Sequence, residues 1–203
     1  MSPARAKTTD EAILDAAARL LETGGLDALT MQAVAAEVGV RAPSLYKRIR
    51  DRAALVRAVQ EAAAAELADA LSSAVDGQDP RADIIAMADA FRAFAHRRSG
   101  VYGLLFAALP DEMRVSPETN QAAVAPLFRA LAALVVLVPG SGRDEANEPI
   151  EGPLEAARLL VAFAHGFVTM ELAGAFRLGG DVDRAWRTGV ATIVDAVAAR
   201  PSR

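Results

Sequence analysis

The sequence of 203 residues has no cysteine, two histidines, one tryptophan and two tyrosines. Without cysteine there is no disulfide framework, thiol nucleophile or thiolate metal site, and a reducing cytoplasm is the expected setting. The histidines, His96 and His165, are 69 residues apart. No glycine-rich phosphate loop, GxSxG or HExxH pattern occurs, and Asp10-Glu11 and Asp111-Glu112 read as caps or solvated loops. The chain is therefore not expected to be an enzyme, and no cofactor or metal is expected. The opening MSPARAKTTDE lacks the apolar core of a signal peptide. The most apolar run, Ala122–Val138, is short for a bilayer span and carries Pro126 and Arg129, so it reads as a buried helix. Alternation of β-branched with polar residues is rare and alanine abundant, which points to an all-α protein.

What is present is unevenly placed. The net charge is −4, yet residues 1–60 hold 9 Lys+Arg against 7 Asp+Glu. Within that part, Arg41, Lys47, Arg48, Arg50, Arg52 and Arg57 face only Asp51, a local charge of +5 over 17 residues. All seven phenylalanines, the tryptophan and one tyrosine lie after residue 90. A small basic part thus precedes a larger acidic, aromatic-rich one, with a division of labour between them.

Local signals divide the chain into about nine helices. Thr8 and Glu11 form a capping box. Ile13, Ala16, Ala17, Leu20 and Leu21 then share a face, and Gly24-Gly25 ends that helix. Thr30 caps a short second helix with Met31, Val34, Ala35 and Val38 inside. Gly39 makes a tight turn, and Pro43 suits the first turn of a third helix. On a helical wheel Leu45, Tyr46 and Ile49 fall inward, while Pro43, Ser44, Lys47 and Arg48 fall outward. Asp51 caps a fourth helix running to the GQDP stretch at Gly77–Pro80, about 26 residues or roughly 39 Å. Segments 81–98, 101–109 and 117–138 follow, then a loop over Pro139–Gly152. Gly152-Pro153 opens a helix stopped by Gly179-Gly180, and Asp181 caps the last one.

A short helix, a glycine turn and a second short helix with a basic outer side form a helix-turn-helix pattern. In that arrangement the first helix braces on the DNA backbone and the second lies in the major groove. Phosphates call for Lys, Arg, Tyr, Ser, Thr or helix N-termini, and base edges call for hydrogen-bonding side chains, Arg and Lys to guanine above all. A single such unit has a small footprint. Two recognition helices about 34–36 Å apart would require a homodimer. Helix 153–178, apolar nearly all round, and the last helix, with Trp186, Gly189, Val190, Ile193 and Val197, are candidates for the interface.

The stretch LTMQAVAAEVGVRAPSLYKRIRDRAALV (Leu29–Val56) resembles the DNA-binding segment of the tetracycline repressor (TetR) family. The alanine-rich helix, the GV turn, the SLY of the recognition helix and the charged cap after it share order and spacing. With the first helix, the resemblance covers about residues 9–57. It implies phosphate contacts for Thr30, Tyr46, Lys47 and Arg52, and base reading by Arg41, Ala42, Pro43, Ser44 and Arg48. Ala42 departs from a hydrogen-bonding role and can only touch a thymine methyl. Tyr46 also fits a core position. Leu159–Phe176 resembles a C-terminal domain of part of the family, marked by Trp-x-x-x-His-Gly. His165-Gly166 match it, and Val161 stands at the Trp position.

The resemblance further implies a regulator, commonly a repressor, that a small effector releases from a double-stranded DNA operator. Its domains would be 1–57 for DNA binding and 58–203 for effector binding and dimerisation, linked by the helix over 51–76. The pocket expected is largely apolar, from Met87, Phe91, Phe94, Tyr102, Phe106, Phe128, Phe163, Phe167 and Met170, with Tyr102, His165, Thr169 and Glu171 as polar groups. His165 also fits a satisfied core position, and Glu171 fits a place near the surface or an ion pair with an arginine. The alternative function is an all-helical small-molecule-binding or interaction protein that does not bind DNA.

Overall fold

The structure is a computed structural model that describes residues 9–115 and 151–198, with side chains in the second stretch from Glu155 onward. Thr8, Phe128 and the helix and loop expected over 117–150 lie outside the described residues. Among the described residues there are eight α-helices and no strand. They are α1 (Asp10–Ala28), α2 (Met31–Glu37), α3 (Ala42–Leu45), α4 (Arg52–Ser73), α5 (Pro80–Arg97), α6 (Ser99–Leu105), α7 (Glu151–Leu172) and α8 (Val182–Ala198). A 3-10 turn, Asp111–Met113, follows α6. The chain is all-α, as the composition requires.

The described chain divides into two compact units. One holds the residues up to Glu66 and those from Arg98 to Val115; the other holds Leu67–Arg97 and residues 151–198. The helix α4 runs from the first into the second.

In the first unit, Thr9 rather than Thr8 caps α1: its Oγ1 accepts from the Ala12 N–H at 3.1 Å. Position 12 is alanine, so no side chain reaches back and the capping box does not close. Ile13, Ala16, Ala17 and Leu21 are buried as the periodicity requires, and Gly25 breaks the helix before a last turn to Ala28. These residues form one core with Val34, Leu45, Leu55, Val56, Val59, Val101 and Leu104.

The helix α6 packs on α1 through a close approach at Gly100. A Cβ there would lie 2.6 Å from backbone atoms of Leu21 and Glu22. The α6 N-terminus has no cap of its own. Glu22 supplies one across the contact, accepting from Gly100 N at 2.6 Å and Ser99 Oγ at 2.9 Å. Backbone cannot step aside as a side-chain tip can. Gly100→Ala is therefore expected to cost about 2 kcal/mol, or about 5 °C in melting temperature. A thermal melt equal to that of the parent would show that the approach is looser than described.

In the second unit, α5 packs against α7 and α8. The buried carboxylate of Asp83 accepts from the N–H groups of Asp76 and Gly77 at 3.1 Å each, tying the turn into α5. Asp181 caps α8, accepting from Arg184 N at 2.8 Å. The helix α7 ends sooner than expected. Gly174 takes φ +64° and the Ala175 N–H reaches back to the Met170 carbonyl at 2.9 Å, a Schellman-type stop. Phe176 thereby leaves the helix and packs on Phe167, ring centroids 4.8 Å apart.

On α8, Trp186, Val190, Val194 and Val197 are buried inside the unit. The expectation that Trp186, Val190 and Val197 face a partner chain is thereby corrected. Periodicity shows that a face is apolar without showing what covers it.

Candidate nucleic-acid interface

The two reading helices are short and held by local chemistry. Thr30 caps α2, its Oγ1 accepting from Ala33 N at 3.1 Å, which leaves its hydroxyl hydrogen available to a phosphate. The turn after α2 is closed by Val40 N on the Ala35 carbonyl at 2.9 Å, with Gly39 at φ +71°. A side chain there would be strained, so glycine is the residue that lets the second helix leave at this angle. Arg41 stands at the N-cap of α3, followed by Ala42 and Pro43 in its first turn.

Only one regular turn forms in α3, after which Tyr46–Arg48 continue as turns. Leu45, 1% exposed, anchors the segment in the core, with Ile49 and Ala42 packed against that core. Arg41, Pro43, Ser44, Lys47 and Arg48 face solvent. So does Tyr46, 51% exposed, which corrects its inward place on the wheel. A position next to the anchoring leucine in a segment this short is not obliged to follow the ideal 3.6-residue period.

The six clustered cations are not equivalent. Arg48 Nη1 pairs with Asp10 Oδ1 of α1 at 2.6 Å. Arg50 Nε pairs with Asp51 Oδ2 at 2.7 Å. Asp51 also caps α4, accepting from Ala54 N at 2.8 Å, and that bond with the Arg50 guanidinium holds its carboxyl below the usual carboxylate range. Arg57 donates to the Glu112 carbonyl.

Arg52 turns toward the protein. Its Nε donates to the Leu29 carbonyl at 2.7 Å and its Nη2 to the Leu26 carbonyl at 2.6 Å. These belong to the end of α1, whose last carbonyls lack intrahelical partners. The residue expected at the DNA backbone is thus placed as a brace for the turn before α2. Arg52→Ala is expected to lower stability by about 2 kcal/mol and leave the salt dependence of DNA binding unchanged. A flattened salt dependence with an unchanged melt would return Arg52 to the phosphates. Among the described residues, Arg41 and Lys47 are the cluster's cations with no hydrogen-bond or ion-pair partner.

The expected effector residues are dispersed. Tyr102 and Phe106 are in the first unit, Tyr102 buried with its ring centroid 5.0 Å from that of Phe106, itself 42% exposed. In the second unit Met87 and Phe94 are buried, Phe91 and His165 half-buried, Thr169 and Met170 exposed. Phe163 and Phe167 pack on Trp186 at centroid distances of 5.7 and 5.4 Å, forming an aromatic core.

Glu171 is engaged in an ion pair. It accepts from Arg92 Nε at 2.9 Å and Nη2 at 2.5 Å and lies 2.8 Å from His96 Nε2. The Arg92 guanidinium, helped by His96, holds its carboxyl down at about 2 and raises the arginine in turn. Arg92 also donates to Asp183 at 2.7 Å and lies over the Trp186 ring. A hollow of about 320 Å³ beside this network is lined by Asp89, Arg92, Ala93, His96, Trp186 and Arg187. None of these was among the expected effector residues. The polar stripe Asp89, Arg92 and His96 along α5 is the sequence signal for this hollow, distinct from the aromatic spacing that marks the expected effector residues.

A short helix packed on the core, a glycine turn and an outward-facing segment around α3 that displays Arg41, Ser44 and Lys47 define a helix-turn-helix DNA-binding protein. Family models agree. The one described as bacterial regulatory proteins, tetR family, matches residues 13–59, and the tetracyclin repressor-like C-terminal domain matches residues 84–193. An uncharacterised HTH-type transcriptional regulator of Mycobacterium tuberculosis is 30% identical over 172 residues, 83% of this chain and 72% of the relative.

Solved structures share the fold. A protein of unknown function from Rhodococcus sp. RHA1 superposes with a TM-score of 0.77 at 24% identity, over 98% of this chain and 100% of that one. A TetR variant from Acinetobacter baumannii AYE in complex with minocycline gives 0.63 at 20% identity, over 94% and 96%. The chain belongs to the tetracycline repressor family and is a DNA-binding transcriptional regulator. Members of this family bind operators, dimerise and bind small-molecule effectors, and are typically not enzymes. No helix among the described residues is long and apolar enough to cross a membrane.

Proposed function

We propose that this protein is a cytoplasmic homodimeric repressor that leaves its operator when a small, largely apolar effector binds. Residues 1–57 would read DNA, and 58–203 would hold the effector and the dimer contact. The observation that carries the reading is the display of Arg41, Ser44 and Lys47 on solvent around the buried Leu45. Dimerisation is supported by the apolar surface left on α7, where Leu159 is 53% and Met170 49% exposed. Effector control is supported by the run of α4 through both units, which gives a covalent route between them, and by the minocycline bound to a relative of the same fold. A coupling of about 1–3 kcal/mol would lower operator affinity about 5- to 150-fold.

The experiment is selection of a duplex from a random pool, followed by titration over a salt series with and without candidate effectors. A palindromic site bound by a dimer, with affinity falling steeply in salt, is expected. Absence of duplex binding at low salt would defeat the reading.

Arg48 supplies a sharper test. Its ion pair with Asp10 holds a base-reading candidate beside a carboxylate, which would also repel phosphates. The pair is exposed and weak, so Asp10→Asn is expected to raise duplex affinity by about 2- to 5-fold. A fall in affinity by fluorescence anisotropy would instead make Asp10 the group that orients Arg48.

A further inference from the structure

The hollow of about 320 Å³ between α5 and α8, within the second unit, is walled by side chains that are already held in place. Asp89, Arg92, Ala93 and His96 stand at i, i+3, i+4 and i+7 on one face of α5, and Trp186 and Arg187 come from α8. The buried indole of Trp186 donates from Nε1 to Asp89 Oδ1 at 2.6 Å. Arg92 lies over the same indole and is clamped by Glu171 and Asp183, and His96 Nε2 rests on Glu171. Three polar side chains of the α5 wall are therefore fixed before any ligand arrives, which removes much of the ordering cost of binding.

Two charges at this hollow lack a counterion. The indole N–H that fixes Asp89 is neutral, so the carboxylate keeps its charge, and its Oδ2 takes part in no hydrogen bond among the described residues. Arg187 is exposed and has no hydrogen-bond or ion-pair partner among the described residues. One stands on α5 and the other on α8, and they form no ion pair with each other. Arg92 and His96, by contrast, are matched by Glu171 and Asp183. The bonds of Arg92 use Nε and Nη2, which leaves Nη1 open as a further donor. Asp89, Ala93, His96 and Arg187 are all exposed, so a ligand reaches them from solvent.

We propose that this hollow binds an α-amino acid with an apolar side chain: its carboxylate on Arg187 and the open Nη1 of Arg92, its ammonium on Asp89, and its side chain over Ala93 and the His96 ring. A zwitterion answers both unmatched charges at once, whereas an ion of either sign answers one and meets the other as a like charge. The volume is near the lower end of the range of ligand pockets and suits a molecule of that size. The site is separate from the apolar effector residues expected above, and it rests on neither the effector reading nor DNA binding.

L-Phenylalanine is the probe, and Trp186, the only tryptophan in the sequence, reports on the site. Isothermal titration of the full chain is expected to show saturable one-to-one binding, with Trp186 emission changing at the same midpoint. Phenethylamine (ammonium alone) and hydrocinnamate (carboxylate alone) should each bind at least about tenfold more weakly, since each loses one charge-assisted contact. Arg187→Gln should weaken phenylalanine about tenfold and leave phenethylamine no weaker. Asp89→Asn keeps an acceptor for the Trp186 indole. It should weaken phenylalanine about tenfold and leave hydrocinnamate no weaker. Arg184→Gln, exposed and outside the hollow, should change nothing. Thermal melts confirm that each variant folds. Absence of saturable binding, a one-charge ligand that binds as tightly as phenylalanine, or binding that both hollow variants leave intact overturns the proposal, as does binding that leaves Trp186 emission unchanged. Duplex binding measured without the amino acid reports separately on the regulatory reading.

Discussion

Replacing Arg41 and Lys47 together by alanine should lower affinity for the selected duplex by about a hundredfold at about 0.1 M salt, with no change in melting temperature. Both side chains are exposed and have no partner among the described residues, so the fold loses nothing when they go. DNA binding loses two different things. A phosphate-contacting lysine releases about one counterion, so Lys47→Ala alone should weaken all sequences alike and reduce the salt slope by about one. An arginine on a base edge contributes about 1–3 kcal/mol of discrimination, so Arg41→Ala alone should relax preference at one base pair in each half-site. Equal, sequence-independent losses from both variants would make Arg41 a second phosphate contact. No loss from either would remove the recognition segment from the groove.

The second large effect concerns stability. Arg92→Met should cost about 3 kcal/mol near neutral pH, because it leaves the Glu171 carboxylate with only His96 in a site where that side chain is 14% exposed. Asp183, at 66% exposure, returns to water at little cost. The pH dependence identifies the cause. Glu171 is held at about 2 in the folded protein, below the 4.5 of a free glutamate. The stability it contributes is fully present above about 4.5 and is lost as pH falls through about 2. In the variant this depression is relieved, so the gap between parent and variant should narrow as pH falls from about 5 to about 3. A gap that is constant over that interval would assign the loss to packing on Phe167 and Trp186 instead. Glu171→Gln should be milder at neutral pH, since Arg92 keeps Asp183.

The first unit was far more legible in the sequence than the second. Its helices are short and closed by single residues whose effect is local: Thr30, Gly39, Pro43 and Asp51 each act within a few positions of themselves. In the second unit the helix expected over 153–178 runs past Gly174, whose left-handed conformation ends that helix at Leu172 and turns Phe176 back onto Phe167. The aromatics after residue 90 suggested a pocket. Phe163 and Phe167 meet Trp186 as a core, and the spacing that marks a pocket wall also marks a core stripe.

Sequence by itself determined the all-helical class, the reading turn and the residue types offered to DNA, because caps, glycine turns and helical period act over a few residues. Tertiary structure decided which charges remain on offer. Arg48 meets Asp10 across 38 positions, Arg52 meets Leu29 across 23 and Leu26 across 26, and Arg92 meets Glu171 across 79. A guanidinium bonds to whichever oxygen the fold brings within reach, and that choice is made by helix packing.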